Sequence, residues 1–184
     1  DVGSDGSVLQ GNCVGVAADC STARGNGYVT GSPSSGIGVL GGAGSRIGGT
    51  EPGAGNVIAY SANSGIGFGA VVQQVTILGN SIHGNGSEGI RLNISDANDG
   101  AYASSQSNRG MDNPVITGAG IDATGTSMTV FGYIGTGTGQ AAFAGARVEF
   151  FRAAPDSSGY GEGKVYLGTL TADGNGRFSG TIGI

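Results

Sequence analysis

Residues 55–92 carry the same pattern twice, 24 residues apart, and that repeat limits what the chain can become. GNVIAYSANSGIGF starts at Gly55 and GNSIHGNGSEGIRL starts at Gly79. Gly55 falls on Gly79, Asn56 on Asn80, Ile58 on Ile82, Gly65 on Gly89 and Ile66 on Ile90. Asn63 matches Asn85 after a two-residue slip. A third copy begins at Gly11-Asn12-Cys13-Val14-Gly15 and resumes at Gly36-Ile37-Gly38-Val39, with an insertion between. A fixed period outranks local propensity, because each repeat must bury its apolar face against its neighbours.

A period near 24 with apolar triplets between Gly and Asn suits one coil of a parallel β-helix. Val57-Ile58-Ala59 and Thr76-Ile77-Leu78 are too short for helices but long enough for short strands. Gly and Asn at the corners tolerate the left-handed backbone that a sharp bend needs. Stacked coils would align Asn12, Asn56 and Asn80 as a ladder of side-chain amides, facing inward and bonded to backbone. About three such coils fit between residues 1 and 100. The competing reading is a glycine-rich antiparallel β-protein in which the spacing is coincidental.

Glycine accounts for 41 of the 184 residues without a collagen period, and only 11% are charged, which argues against a disordered linker. The net charge is −5 and Lys164 is the sole lysine, so no basic stripe is expected to meet nucleic acid. No apolar run reaches the ~18 residues that a membrane helix requires. The sequence opens without a basic and apolar leader, so a signal peptide is expected to have been removed or to lie upstream.

Cys13 and Cys20 do not match a CxxC redox or zinc spacing. A local disulfide closing the insertion is one reading, and two free thiols the other. The disulfide would imply an oxidising compartment: extracellular, cell surface or periplasmic.

At Asp96-Ala97-Asn98-Asp99-Gly100 the repeat stops. Residues 101–113 read as a linker, and from Pro114 to residue 184 the pattern alternates with period two. The runs 115–117, 127–134, 146–151, 165–170 and 177–182 read as strands of a small antiparallel sandwich. Thr171-Ala172-Asp173-Gly174-Asn175-Gly176 reads as the turn of a hairpin.

The segments IGGTEPGAGNVIAYSANSGI (47–66), ILGNSIHGNGSEGIRLN (77–93), Asn98-Asp99-Gly100, Asn113-Pro114-Val115 and RVEFFRAAPDSSGYGEGKVYLGT (147–169) resemble a family of large bacterial extracellular proteins. The resemblance covers nearly the whole chain. It implies a right-handed parallel β-helix followed by an immunoglobulin-like β-sandwich. It departs from the family at Cys13 and Cys20, where the first coil usually carries apolar or small residues. It is poor for activity, because a fold does not set a function. An immunoglobulin-like sandwich commonly needs about seven strands, and five are visible. The sandwich therefore reads as incomplete, to be finished by the remainder of a longer chain or by another subunit donating a strand.

The expected stack is also similar to that of pectate lyases and polygalacturonases, which makes catalysis a reading to consider. His83, Glu88 and Arg91 are the candidates. One coil earlier those positions hold Tyr60 or Ala59, Ser64 and Gly67, which stacks no second carboxylate on Glu88. A catalytic role is not expected. Asp96, Asn98 and Asp99 offer oxygen ligands at calcium-loop spacing but lack the later bidentate Glu; an Asx-rich stop is the other reading. Tyr160, Tyr166, Phe150 and Phe151 could form a sugar platform, although alternation sends about half of them into a core. The expectation is a non-enzymatic structural, adhesive or assembly module without a cofactor, whose partners are protein subunits or glycans. The alternative is a carbohydrate-binding or carbohydrate-active accessory module.

Overall fold

The structure, a computed structural model, describes residues 1–26, 28–29, 32–92, 98–100, 102–103 and 105–184. The chain is all-β and divides into two units. The first comprises Asp1–Ile94, Ser104–Arg109 and Ala153–Tyr166; the second comprises Ser95–Ala103, Gly110–Arg152 and Leu167–Ile184.

In the first unit the strands are β1 (Val8–Leu9), β2 (Cys13–Val14), β3 (Tyr28–Val29), β4 (Ser32–Pro33), β5 (Ile37–Val39) and β6 (Arg46–Gly48). They continue with β7 (Val57–Ala59), β8 (Ile66–Phe68), β9 (Thr76–Leu78), β10 (Ser81–His83) and β11 (Ile90–Arg91). Three parallel three-stranded sheets result: β1–β6–β9, β2–β7–β10 and β5–β8–β11. Apart from β3 and β4, which pair antiparallel with each other, successive strands enter the three sheets in unbroken rotation. The register stacks like on like. Ile58 lies between Val14 and Ile82, Ile66 between Ile37 and Ile90, and Ile47 between Leu9 and Ile77.

Those stacks form the core. Ile47, Ile58, Ile66 and Val39 are fully buried, together with Val2, Ile37, Phe68, Val72, Val75 and Ile82. Each such side chain stabilises the fold by about 1.5–3 kcal/mol through burial. β-Branched residues suit this packing, since their stiff χ1 fits a pleated surface. Cys13 and Cys20 form a disulfide with Cα atoms 5.3 Å apart, tying β2 to the insertion that follows it.

The boundaries expected from sequence, 1–100, 101–113 and 114–184, differ from this division, in which Ser95–Ala103 lies in the second unit and no linker stands apart. Residues 104–109 and 153–166 belong to the first unit. Ser107 Oγ donates to Ala70 O (2.8 Å). Asn108 pairs with Val75 through both amide atoms, accepting from its N–H (2.9 Å) and donating to its C=O (2.8 Å). From 153–166 come Glu162, which binds Asn85, and the Lys164 carbonyl, which accepts from Ser81 Oγ (2.6 Å). The reason is physical: the last rung of a stack has backbone groups with no next rung to meet them, and buried backbone groups must be satisfied.

The second unit contains β12 (Pro114–Ile121), β13 (Ser127–Ile134), most of β14 (Arg147–Ala153), the later part of β15 (Gly163–Thr171), and β16 (Arg177–Gly183). Strands β12–β13–β16 make an antiparallel sheet, and β14 pairs with β15. Their alternation fills one core with Val130, Ile134, Val148, Phe150, Phe178 and Ile182, and the connecting segments add Phe143 and Ala172. The rings of Phe150 and Phe178 meet edge to face at 5.7 Å. The 171–176 segment is a correction to the hairpin expectation. It is a turn closed by Asp173 N–H to Arg177 O (2.7 Å), but the strands it joins lie in different sheets. A local turn signal does not say which strands will pair.

Candidate functional site

The three asparagines of the expected ladder lie in the first unit, just before or between its strands. Asn56 and Asn80 are buried, 1% and 3% exposed, while Asn12 is exposed. Each Oδ1 accepts the backbone N–H of the asparagine one coil earlier: Asn12 N–H to Asn56 (2.9 Å) and Asn56 N–H to Asn80 (3.0 Å). The amide nitrogens also donate along the ladder, from Asn12 to Asn56 (3.0 Å) and from Asn56 to Asn80 (2.8 Å). Asn56 Nδ2 further serves Leu9 O (3.0 Å), and Asn80 Nδ2 serves Ile47 O (2.9 Å) and Leu78 O (3.1 Å). Donor and acceptor sit on one short side chain, so asparagine satisfies both polarities of the bent backbone.

A second ladder, not evident from the sequence, runs through Asn85. Asn85 Oδ1 accepts the N–H of Ser61 (3.0 Å), and not a group of Asn63, so the slipped alignment is replaced by the plain 24-residue one. Glu162 closes this ladder: its carboxylate accepts the Asn85 N–H (2.8 Å) and Nδ2 (2.7 Å) while only 3% exposed. Glu162 stands 77 residues from Asn85, too far for any local signal to reveal it.

The catalytic candidates are His83, Glu88 and Arg91. His83 is 6% exposed and meets the ring of Tyr60 edge-on at 5.8 Å. Burial, and then the Lys164 charge, lower its pKa below 6.5. For Glu88, burial pushes the pKa up, but the Ser87 hydroxyl, the Arg91 charge and Ser64 outweigh it and leave the carboxyl below its ordinary value. Glu88 Oε2 accepts from Ser87 Oγ and from Ser64 Oγ (3.4 Å). It is therefore ionised at neutral pH and has no proton to give as a general acid. Among the described residues no hydrogen bond joins His83 to Glu88 or Arg91.

The His83 environment predicts a pH effect. A base whose folded pKa is depressed contributes stability that is present above its unfolded pKa, about 6.5, and is lost as pH falls below it. Urea midpoints should fall between pH 7 and pH 5, and His83→Gln should flatten that slope. Equal slopes in both proteins would refute the assignment.

Of the calcium candidates, Asn98 has other partners. Asp96 lies outside the described residues. Asn98 Oδ1 accepts the Asn113 N–H (2.8 Å), and Nδ2 donates to Asn113 O (3.0 Å) and Gly135 O (2.9 Å). The backbone of Asp99 and Gly100 donates to Asp112 (3.3 and 2.8 Å), a buried carboxylate that the sequence reading passed over. Asn98 thus staples a loop through the same oxygen a cation would need. Among the described residues no three His, Cys, Asp or Glu side chains gather into a metal-sized group.

Of the four aromatic candidates, Phe150 lies in the second unit's core and Phe151 is half-buried. Tyr160 and Tyr166 are exposed, 62% and 44%. No helix among the described residues is long and apolar enough to cross a membrane. No known protein family matches this chain, and no solved structure matches it.

Proposed function

We propose that the chain is a non-enzymatic structural or adhesive module of a secreted or surface protein. In this reading the three parallel sheets are the faces of a short right-handed parallel β-helix. The C-terminal strands are an immunoglobulin-like sandwich, and the whole resembles modules of large bacterial extracellular proteins. Support for the coil comes from the rotation of successive strands through three sheets and the 24-residue register of β7 with β10 and β8 with β11. The disulfide supports an oxidising compartment.

One observation carries the functional reading: four of the buried polar side chains in the stack bond to the stack itself. Asn56, Asn80, Asn85 and Glu162 are all committed to backbone or to each other. Groups held this way rigidify a fold and have no spare valence for a substrate. The polar residues nearest to chemistry, His83 and Glu88, sit respectively against a tyrosine ring and two serines.

The test is turnover. Incubated with polygalacturonate, xylan and galactomannan, the purified chain should release no reducing ends and form no unsaturated uronate. Turnover that disappears in a His83→Ala/Glu88→Ala double variant would overturn the reading.

A further inference from the structure

The outer face of the sheet β12–β13–β16 carries an open groove of about 570 Å³, lined by Thr117, Phe131, Tyr133, Asp173, Arg177 and Ser179 among others. That volume falls within the ~300–1,000 Å³ of small-ligand sites. Alternation produces the face. Val130, Gly132 and Ile134 are buried, so Thr129, Phe131 and Tyr133 project outward. Across the sheet, Phe131 stands between Gly118 and Ser179, and Tyr133 between Val115 and Arg177.

Phe131 is 48% exposed at the centre of this face. Its ring reclines across β12, where Gly118 leaves the space: a Cβ at residue 118 would come within 2.3 Å of Cζ and 2.6 Å of Cε2. The ring therefore has one side against the sheet and the other toward solvent. A bulge between Ile116 and Gly118 sets Thr117 beside it, with Thr117 Oγ1 donating to Phe131 O (3.3 Å). Asp173 is held by the N–H groups of Asn175 (2.8 Å) and Arg177 (3.0 Å), both through Oδ1. Oδ2 makes no hydrogen bond among the described residues.

An aromatic face beside a carboxylate acceptor, a guanidinium donor and hydroxyls matches one kind of ligand. A pyranose ring presents a C–H face to an aromatic ring and an edge of hydroxyls that both donate and accept. The charges of Asp173 and Arg177 cancel, and the chain carries a net −5, so a polyanion gains nothing here. We propose that this face binds a neutral polysaccharide, with Phe131 as the stacking platform and Asp173, Arg177 and Thr117 reading its hydroxyls. The site differs from the Tyr160 and Tyr166 candidates, and it does not depend on the scaffold reading of the stack.

The experiment uses the full chain in affinity electrophoresis and titration calorimetry against xylan, galactomannan, soluble β-glucan and polygalacturonate. Saturable binding to at least one neutral polymer is expected, with a more than tenfold weaker Kd for Phe131→Ala and for Asp173→Asn. Phe131→Tyr should keep most of the affinity, and Tyr160→Ala should leave it unchanged. Phe131 is on the surface, so the thermal midpoint of Phe131→Ala reports whether the variant is folded. If that variant does not fold, Asp173→Asn decides. No saturable binding to any neutral polymer, preference for polygalacturonate, or binding indifferent to the Phe131 and Asp173 variants would overturn the proposal. So would a concentration-dependent dimer that Phe131→Ala abolishes, which would assign the face to a second copy of the chain.

Discussion

Replacing Gly48 with alanine is expected to cost the first unit about 3 kcal/mol or more, a large share of the ~5–15 kcal/mol that holds a domain together. Gly48 sits at the end of β6 with φ +82°, where an L side chain costs roughly 1–2 kcal/mol. The clash adds to that cost. A Cβ at this position would lie 2.1 Å from the Leu78 carbonyl oxygen and 2.5 Å from Asn80 Oδ1. The first of these is backbone and cannot rotate away. Relief requires the neighbouring rung to retreat, which breaks Gly49 N–H to Leu78 O (2.9 Å) and Asn80 Nδ2 to Ile47 O (2.9 Å). Gly44→Ala is the control, because Gly44 also has a positive φ (+72°) but nothing within 4 Å of its would-be Cβ. Urea unfolding should place Gly48→Ala well below Gly44→Ala. Matching midpoints would show that the rungs are not as close as described.

Asn80→Leu should be nearly as damaging, at about 2–5 kcal/mol, although leucine is close to asparagine in size. The substitution strands the Asn56 N–H and the Ile47 carbonyl, both of which bond to the Asn80 side chain. Each buried group left without a partner costs about 1–3 kcal/mol. Asn80→Asp retains the Oδ1 acceptor but not the Nδ2 donor, and it should fall between wild type and Asn80→Leu. Asn12→Ala, at the exposed end of the same ladder, should cost no more than about 1 kcal/mol. Hydrogen exchange gives a local readout: the Asn56 amide should exchange much faster in Asn80→Leu. Unchanged protection of that amide would mean the ladder bond does not form in solution.

The sequence determined more of the first unit than its length of regular structure would suggest. Asn56 and Asn80, Ile58 and Ile82, and Ile66 and Ile90 recur at one interval, and each pair ends up on adjacent rungs. This works because a stacked coil converts sequence period directly into contact. The face formed by β1, β6 and β9 is harder to read, since Leu9, Ile47 and Ile77 are unevenly spaced and still stack. Corner loops absorb the differences in length without moving the strands. Further along the chain, alternation placed strands at 115–117, 127–134, 146–151, 165–170 and 177–182, and the structure has them at Pro114–Ile121, Ser127–Ile134, Arg147–Ala153, Gly163–Thr171 and Arg177–Gly183, because period-two patterning is a local property of a half-buried strand.

Tertiary structure alone decided which strands pair and what closes the stack. The turn at 171–176 looks like a hairpin locally, yet β16 pairs with β13, because register with Gly132 and Met128 brings Phe178 and Ile182 into the core. Glu162 and Asn108 are unremarkable in sequence and become partners of Asn85 and Val75 only when distant chain folds back. His83 is a catalytic candidate in the sequence, and only the fold encloses it by burial and the Tyr60 ring. Periodicity reports what a residue does for its own rung, and that is a local matter of geometry. The unmet backbone groups at the end of a stack can be satisfied by any segment that arrives with the right acceptor, so their partners are set by where the chain goes and not by its repeat.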